Sequence, residues 1–250
     1  MAEPPVRPDF AARLRAVTQA RIALGRAGQA LPTRALLDFQ LAYARARDAV
    51  GAAFDTGRFS AALGGREVIE VASRAPDHTA YLQRPDLGRR LAEADAGKLT
   101  ATGDEVAFIV GDGLSATAVE THAAPLLLAL FERLPGWRIA PIILASHARV
   151  ALGDEIGALL GVDLAVMLIG ERPGLSAPDS LGAYLTWQPR PGRLDSERNC
   201  ISNIRPPHGL GYAQAADSIL WLMAEARSRR LTGVGLKDES DLLIPHPRLP

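Results

Sequence analysis

Val162-Asp163-Leu164-Ala165-Val166-Met167-Leu168-Ile169-Gly170-Glu171-Arg172-Pro173-Gly174 is the stretch that decides how this chain is read. From Val162 to Ile169 there is one polar residue, Asp163, and the run has the length of a strand. Such near-continuous apolar runs are characteristic of strands buried on both faces of a parallel sheet. Gly170 and Pro173-Gly174 then force the backbone to turn. Ligands of open parallel sheets bind outside the carboxyl ends of the strands, which is where Glu171 and Arg172 fall. A solvated charged turn is the plainer alternative for the same residues.

Working outward, strands and helices alternate. Glu105 to Val110 reads as a strand, Gly111 to Ser115 as its loop, and Ala116 to Leu134 as a helix. Arg138 to Leu144 reads as a second strand, followed by Ala145 to Val150 and a helix around Asp154 to Leu160. Beyond the Glu171 turn, Leu181 to Gln188 has strand character, and Cys200 to Ile204 is a short strand or an extended loop. Tyr212 to Arg230 is an amphipathic helix with Ala215, Ile219, Leu222, Met223 and Ala226 on one face. This order predicts an α/β fold with a Rossmann-like, mostly parallel sheet flanked by helices.

The amino-terminal part differs in texture. Phe10 to Ala27 reads as a helix, and Thr33 is a candidate cap for another running to about Val50. Residues 51–65 are Gly- and Ala-rich, Arg66 to Arg74 is ambiguous between strand and helix, and Pro76 to Pro85 reads as a connection. Pro85 to Leu91 opens a helix with Asp86 as its cap. Residues 1–80 are therefore expected to form a mainly helical region, and residues 81–250 the α/β domain. The Pro-rich residues 1–9 and the tail past Ser240 are expected to be irregular.

With 250 residues, 48% of them hydrophobic and 22% charged, the chain has ordinary globular composition. Its formal net charge of zero supplies no overall field to recruit nucleic acid or an anionic membrane. One cysteine rules out an internal disulfide framework and suits a reducing cytoplasm. No apolar run reaches the length of a membrane span, and the first residues carry no signal-peptide pattern.

Chemistry-bearing motifs are sparse. Gly111-Asp112-Gly113-Leu114-Ser115 lies between a strand and a helix, where backbone N–H groups can cradle a ligand, but it is neither GxGxxG nor a P-loop. Ser115 as a helix cap and Asp112 as a turn residue explain it equally well. His78, His122, His147, His208 and His246 have no metal-site spacing, and there is no nucleophile elbow. Cys200 has no partner base in the sequence, and a lone cysteine is by default a small buried residue. The residues alone imply an α/β domain with a crevice built from the loops near Asp112, His147 to Val150, and Glu171 to Gly174. A stand-alone nucleotide- or small-molecule-binding protein fits that description, as does a structural subunit with a vestigial crevice.

Several blocks resemble one family. Arg21 to Gly28, Tyr81 to Leu91, Asp112 to Ser115, Gly170 to Leu175 and Arg198 to Arg205 are similar, in order, to the small (light) subunit of ethanolamine ammonia-lyase. The resemblance implies an adenosylcobalamin-dependent lyase that converts ethanolamine to acetaldehyde and ammonia by a radical mechanism. It implies a large TIM-barrel subunit as partner, a higher hetero-oligomer, and no activity for this chain alone. Val150, Glu171 and Cys200 match the family's cobalamin contacts, with Val150 placed by its spacing from the Glu171 turn. No catalytic residue and no protein ligand to cobalt is implied here. The family also implies a cytoplasmic location, within a bacterial microcompartment for relatives that carry a long extension ahead of the first helix; the short segment ahead of Phe10 departs from them there.

Overall fold

A computed structural model describes residues 10–240, so the expectations for residues 1–9 and for the tail past Ser240 lie outside the described residues. The elements are α1 (Phe10–Ala16), α2 (Thr33–Gly51), α3 (Thr56–Ala62), β1 (Val68–Ala72), α4 (His78–Gln83), α5 (Glu93–Ala96), β2 (Val106–Gly111), α6 (Ala116–Phe131), β3 (Ile142–Ser146), α7 (Leu152–Leu160), β4 (Leu164–Gly170), β5 (Leu181–Trp187), β6 (Asn199–Ile204) and α8 (Tyr212–Arg229). The strands form one six-stranded sheet in the order β1-β3-β2-β4-β5-β6. The first four neighbours in that order run parallel, and β5 and β6 are antiparallel to the strands beside them. The sheet is thus mostly parallel, as expected, but β4 is parallel on one side only.

Two hydrophobic layers hold the sheet. Val106, Phe108 and Val110 of β2, with Leu164, Val166 and Leu168 of β4, pack on the side covered by α6 and α8. Ala107 and Ile109, with Ala165, Met167 and Ile169, point to the other side, against Leu152, Ile156 and Leu160 of α7. Burial on both faces is why these strands read as unbroken apolar runs. On the α7 side the cover thins past β4. Asp154 of α7 still reaches the buried Thr186 at the end of β5, but the cover does not extend to Tyr184, which is only half-buried, or to Cys200, which is exposed. Alternation along β5 sends Leu181, Ala183 and Leu185 into the opposite layer.

Several expectations need correction. The first helix stops at Ala16. None of its residues is buried, so packing does not extend it, and Ala23, Gly25 and Gly28 adopt positive φ. Thr33 begins α2 but does not cap it; Pro32 holds the cap position without a side-chain hydrogen bond. Residues 51–65 contain α3, capped by Asp55 accepting from the Arg58 N–H at 2.9 Å. Asp77 similarly caps α4, a short helix within the stretch read as a connection. Pro85 to Leu91 makes only a single 3₁₀ turn at Leu87–Arg89. Asp86 pairs instead with Arg84, and a bridge between Leu91 and Ser73 draws the chain to β1. The expected Arg138 strand starts late because Pro141 lacks an N–H, leaving Ile139 in an isolated bridge to Val106.

Both sheet edges are partly covered. Along β1, the Ala72 N–H donates to Asp95 Oδ2 at 2.7 Å, Ala92 N–H donates to the Ala72 carbonyl at 3.0 Å, and Lys98 Nζ donates to the Glu70 carbonyl at 2.9 Å. Along β6, Leu210 bridges Ile204, while the Asn199 side chain donates to the Leu236 carbonyl and accepts from the Gly233 N–H.

α6 and α8 are linked by His122, only 2% exposed, whose Nδ1 lies 2.8 Å from the Tyr212 hydroxyl and whose Nε2 lies 3.4 Å from Asp179. Burial lowers its pKa, with the Asp179 carboxylate pulling the other way. As pH falls below about 6.5, the unfolded chain therefore takes up a proton before the folded one, and stability decreases. His122→Asn is expected to flatten that slope; denaturation midpoints of both proteins between pH 7.5 and 5.5, about one unit either side of the free imidazole value, check it.

Candidate functional site

The carboxyl ends of β2, β3 and β4 carry the three loops singled out in the sequence, and backbone contact locks the first onto the third. Ser115 caps α6 through the Ala118 N–H at 3.2 Å, and Leu114 N–H donates to the Gly170 carbonyl at 3.0 Å. A side chain could not be accommodated at this crossing: a Cβ on Gly113, whose φ is +60°, would lie 2.1 Å from the Gly170 oxygen. Asp112 turns inward. Its carboxylate accepts from the Gly113 N–H at 2.8 Å, from His147 N–H at 2.7 Å and from Ala148 N–H at 2.9 Å. Burial pushes its pKa up while those N–H groups pull it down. Asp112 therefore splices the loops after β2 and β3 and does not line the crevice, so the turn reading is the correct one for it.

Beside that splice lies a cavity of about 400 Å³ lined by Gly113, Arg149, Val150, Glu171, Arg172 and Tyr184, among others. A second, of about 270 Å³, shares Arg149, Val150 and Tyr184 with it and extends to Arg89, Arg198 and Cys200. Val150, Glu171 and Cys200, which come from the loop after β3, the end of β4 and strand β6, thus border one continuous crevice on the α7 side of β5 and β6. A larger concavity, about 510 Å³, lies between α2 and the loop leading to β5, and none of these three residues lines it.

Each of the three is held differently. The Glu171 carboxylate accepts from the hydroxyls of Ser180 and Ser202, the latter at 2.5 Å, and from Asn203 N–H at 3.3 Å, tying β4 to β6 across β5. Val150 packs partly against the α7-side core. Cys200 stands opposite Tyr184 in the β5–β6 ladder and is exposed, contrary to the default expectation of burial, because the α7 cover does not extend to it. Desolvation of its thiol and the Glu171 carboxylate push its pKa up, with Tyr184 opposing. The thiol thus stays protonated at neutral pH, which is not the state of a nucleophile.

Other residues of the crevice were not evident from the chain alone. Tyr184 was hidden in a strand pattern, although its position two residues from Gly182 on β5 leaves it the one half-buried side chain of that strand. Arg198 is 7% exposed and pairs with the buried Asp154 of α7, with Asp195 at 2.7 Å and with the Arg193 carbonyl at 3.0 Å. This pins the start of β6 to α7. The Nε atoms of Arg149 and Arg198 are buried and find no hydrogen-bond partner among the described residues.

Sheet order and crevice define an α/β domain with a concavity at the ends of its parallel strands that continues onto the antiparallel β5–β6 pair. Among the described residues, no helix is long and apolar enough to cross a membrane. The family described as "Ethanolamine ammonia-lyase light chain (EutC)" matches residues 8–237. The ethanolamine ammonia-lyase small subunit of Azotobacter vinelandii is 54% identical over 240 residues, covering 92% of this chain and 88% of that protein. That of Bradyrhizobium diazoefficiens is 55% identical over 238 residues, covering 91% and 90%. That of Pseudomonas syringae pv. tomato is 53% identical over 239 residues, covering 92% and 83%. This chain belongs to the ethanolamine ammonia-lyase small-subunit family.

Proposed function

We propose that the crevice bordered by Val150, Glu171 and Cys200 holds one side of adenosylcobalamin, and that a large subunit closes over the cofactor and carries the substrate. The chain thereby serves the conversion of ethanolamine to acetaldehyde and ammonia. The observation that carries this reading is the meeting of three residues from separate loops and strands at two adjoining cavities that share Arg149, Val150 and Tyr184. The donor set suits the cofactor: a corrin is a broad apolar ring edged with amides, and two buried guanidinium Nε atoms here await acceptors. The bound group would supply the radical chemistry. The chain's own residues bind and orient. Glu171, fixed by three donors, presents carboxylate lone pairs to amide N–H groups at an immobile position. Val150 offers apolar contact, and the protonated Cys200 thiol offers a weak donor that does not compete for the metal.

Size-exclusion chromatography tests the reading, with this chain alone and co-expressed with a large, barrel-type subunit. Cobalamin absorbance should elute only with the two-chain complex. A lone chain that binds a nucleotide or another small ligand and forms no complex would replace this reading with that of a free-standing binding protein. Glu171→Gln should weaken cobalamin retention by about tenfold, the scale of one hydrogen bond to a charged group, without unfolding the chain. Unchanged retention would remove Glu171 from the site. Location within a bacterial microcompartment belongs to the same proposal, and co-purification with shell proteins tests it.

A further inference from the structure

The Tyr81 to Leu91 block, conspicuous in the sequence, surrounds one side chain. Arg149 lies with its Cζ 4.3 Å from the centroid of the Tyr81 ring, and its Nη2 donates to the Tyr81 carbonyl at 3.2 Å. The Arg149 N–H donates to the Gly88 carbonyl at 2.8 Å. The 3₁₀ turn at Gly88 presses so closely that a Cβ there would come within 2.9 Å of Arg149 Cγ. Tyr81 is itself fully buried, its hydroxyl donating to the Ala148 carbonyl at 3.0 Å. An aromatic platform, a carbonyl and a glycine turn thus hold this guanidinium at the junction of the two cavities, with its Nε unpartnered. An arginine fixed in this way has already lost most of the rotamer freedom that binding would otherwise remove.

Charge identifies what it faces. The smaller cavity is lined by Arg89, Arg149 and Arg198, against Asp195 as its one acid. Asp195 is engaged by Arg198, which Asp154 also neutralises. Among the described residues neither Arg89 nor Arg149 makes an ion pair, so this end of the crevice keeps an excess of positive charge, while the other end sets Arg172 beside Glu171. A neutral amide carbonyl does not require that excess; an anionic oxygen does. Cobalamin carries one such group at its periphery, the phosphodiester that joins the nucleotide base to the ring. Building on the cofactor reading above, we infer that Arg149, with Arg89 beside it, is a positioning residue that receives this phosphate, so that the Cys200 end of the crevice takes the nucleotide loop and the Glu171 end takes the amide edge.

Three corrinoids separate the possibilities: cobalamin, cobinamide phosphate, which keeps a phosphate but lacks the base, and cobinamide, which lacks both. Their dissociation constants are measured by absorbance titration of the assembled two-chain complex, wild type against Arg149→Gln and Arg149→Lys. Arg149→Gln should weaken cobalamin and cobinamide phosphate by about tenfold or more, the scale of a hydrogen bond to a charged group, and leave cobinamide unchanged. Arg149→Lys should recover part of the loss, since a point charge persists without the planar fork. Equal weakening of all three, or of none, overturns the phosphate assignment, as does weakening of cobalamin alone, which would point to the base. A wild-type complex that retains none of the three overturns the cofactor reading itself. Complex assembly and the thermal midpoint of each variant separate lost binding from lost folding.

Discussion

Asp154→Ala is expected to destabilise the folded chain by about 3 kcal/mol, the lower end for a broken buried pair, because it leaves a buried guanidinium with only the solvent-exposed Asp195 as counter-charge. Arg198 and Asp154 have side chains only 2% and 3% exposed, and the two are in direct contact between β6 and α7. Burial raises the Asp154 pKa even with Arg198 beside it, so desolvation outweighs the attraction. The intact pair therefore adds little net stability, whereas a broken one is expensive. Asp154→Leu combined with Arg198→Met should accordingly recover most of what either single change loses. Urea denaturation of the two single variants and the double variant measures this directly. A double variant as unstable as the sum of the singles would refute the account. Because Arg198 also fixes the strand that carries Cys200, cofactor retention should fall in both single variants.

Gly113→Ala carries the second large effect, about 2–4 kcal/mol, from two sources that can be separated. The first is its positive φ, which disfavours any L side chain; the second is the Gly170 carbonyl 2.1 Å from where a Cβ would sit. Gly64 has nearly the same φ, +66°, with nothing within 4 Å of its Cβ position, so Gly64→Ala isolates the first source. Its loss should be about 1–2 kcal/mol. Equal losses at both positions would dismiss the backbone clash. Gly113→Ala should also loosen cofactor binding, since the crossing it disrupts sets the position of Glu171.

The parts of the fold legible in the sequence are those whose burial is complete. β2 and β4 are apolar on both faces, and α8 has a clear inward stripe, so composition and period reveal them. β1 was ambiguous because it is an edge strand with a mixed burial pattern, and α3 was missed because one Asp55 cap starts it within a Gly-rich stretch. The loops near Asp112, Val150 and Glu171 could be placed from strand ends alone. Their division of labour could not: Asp112 turning inward depends on three backbone N–H groups from two loops. Arg149 was equally hidden, since its role depends on Tyr81 and Gly88, far away in the sequence.

The partial coverage of both sheet edges has a consequence for assembly. An open edge strand invites another chain to join the ladder, which is the common route to unplanned polymerisation and also a frequent mode of peptide capture. Here Asp95, Ala92 and Lys98 occupy outer polar groups of β1, and Leu210 and the Gly233–Leu236 segment occupy the ends of β6. With both edges blunted in this way, side chains on the faces become the larger share of what another subunit can recognise. Its quaternary fit is then largely a matter of shape and charge, and substitutions confined to exposed side chains can alter assembly while leaving the sheet intact.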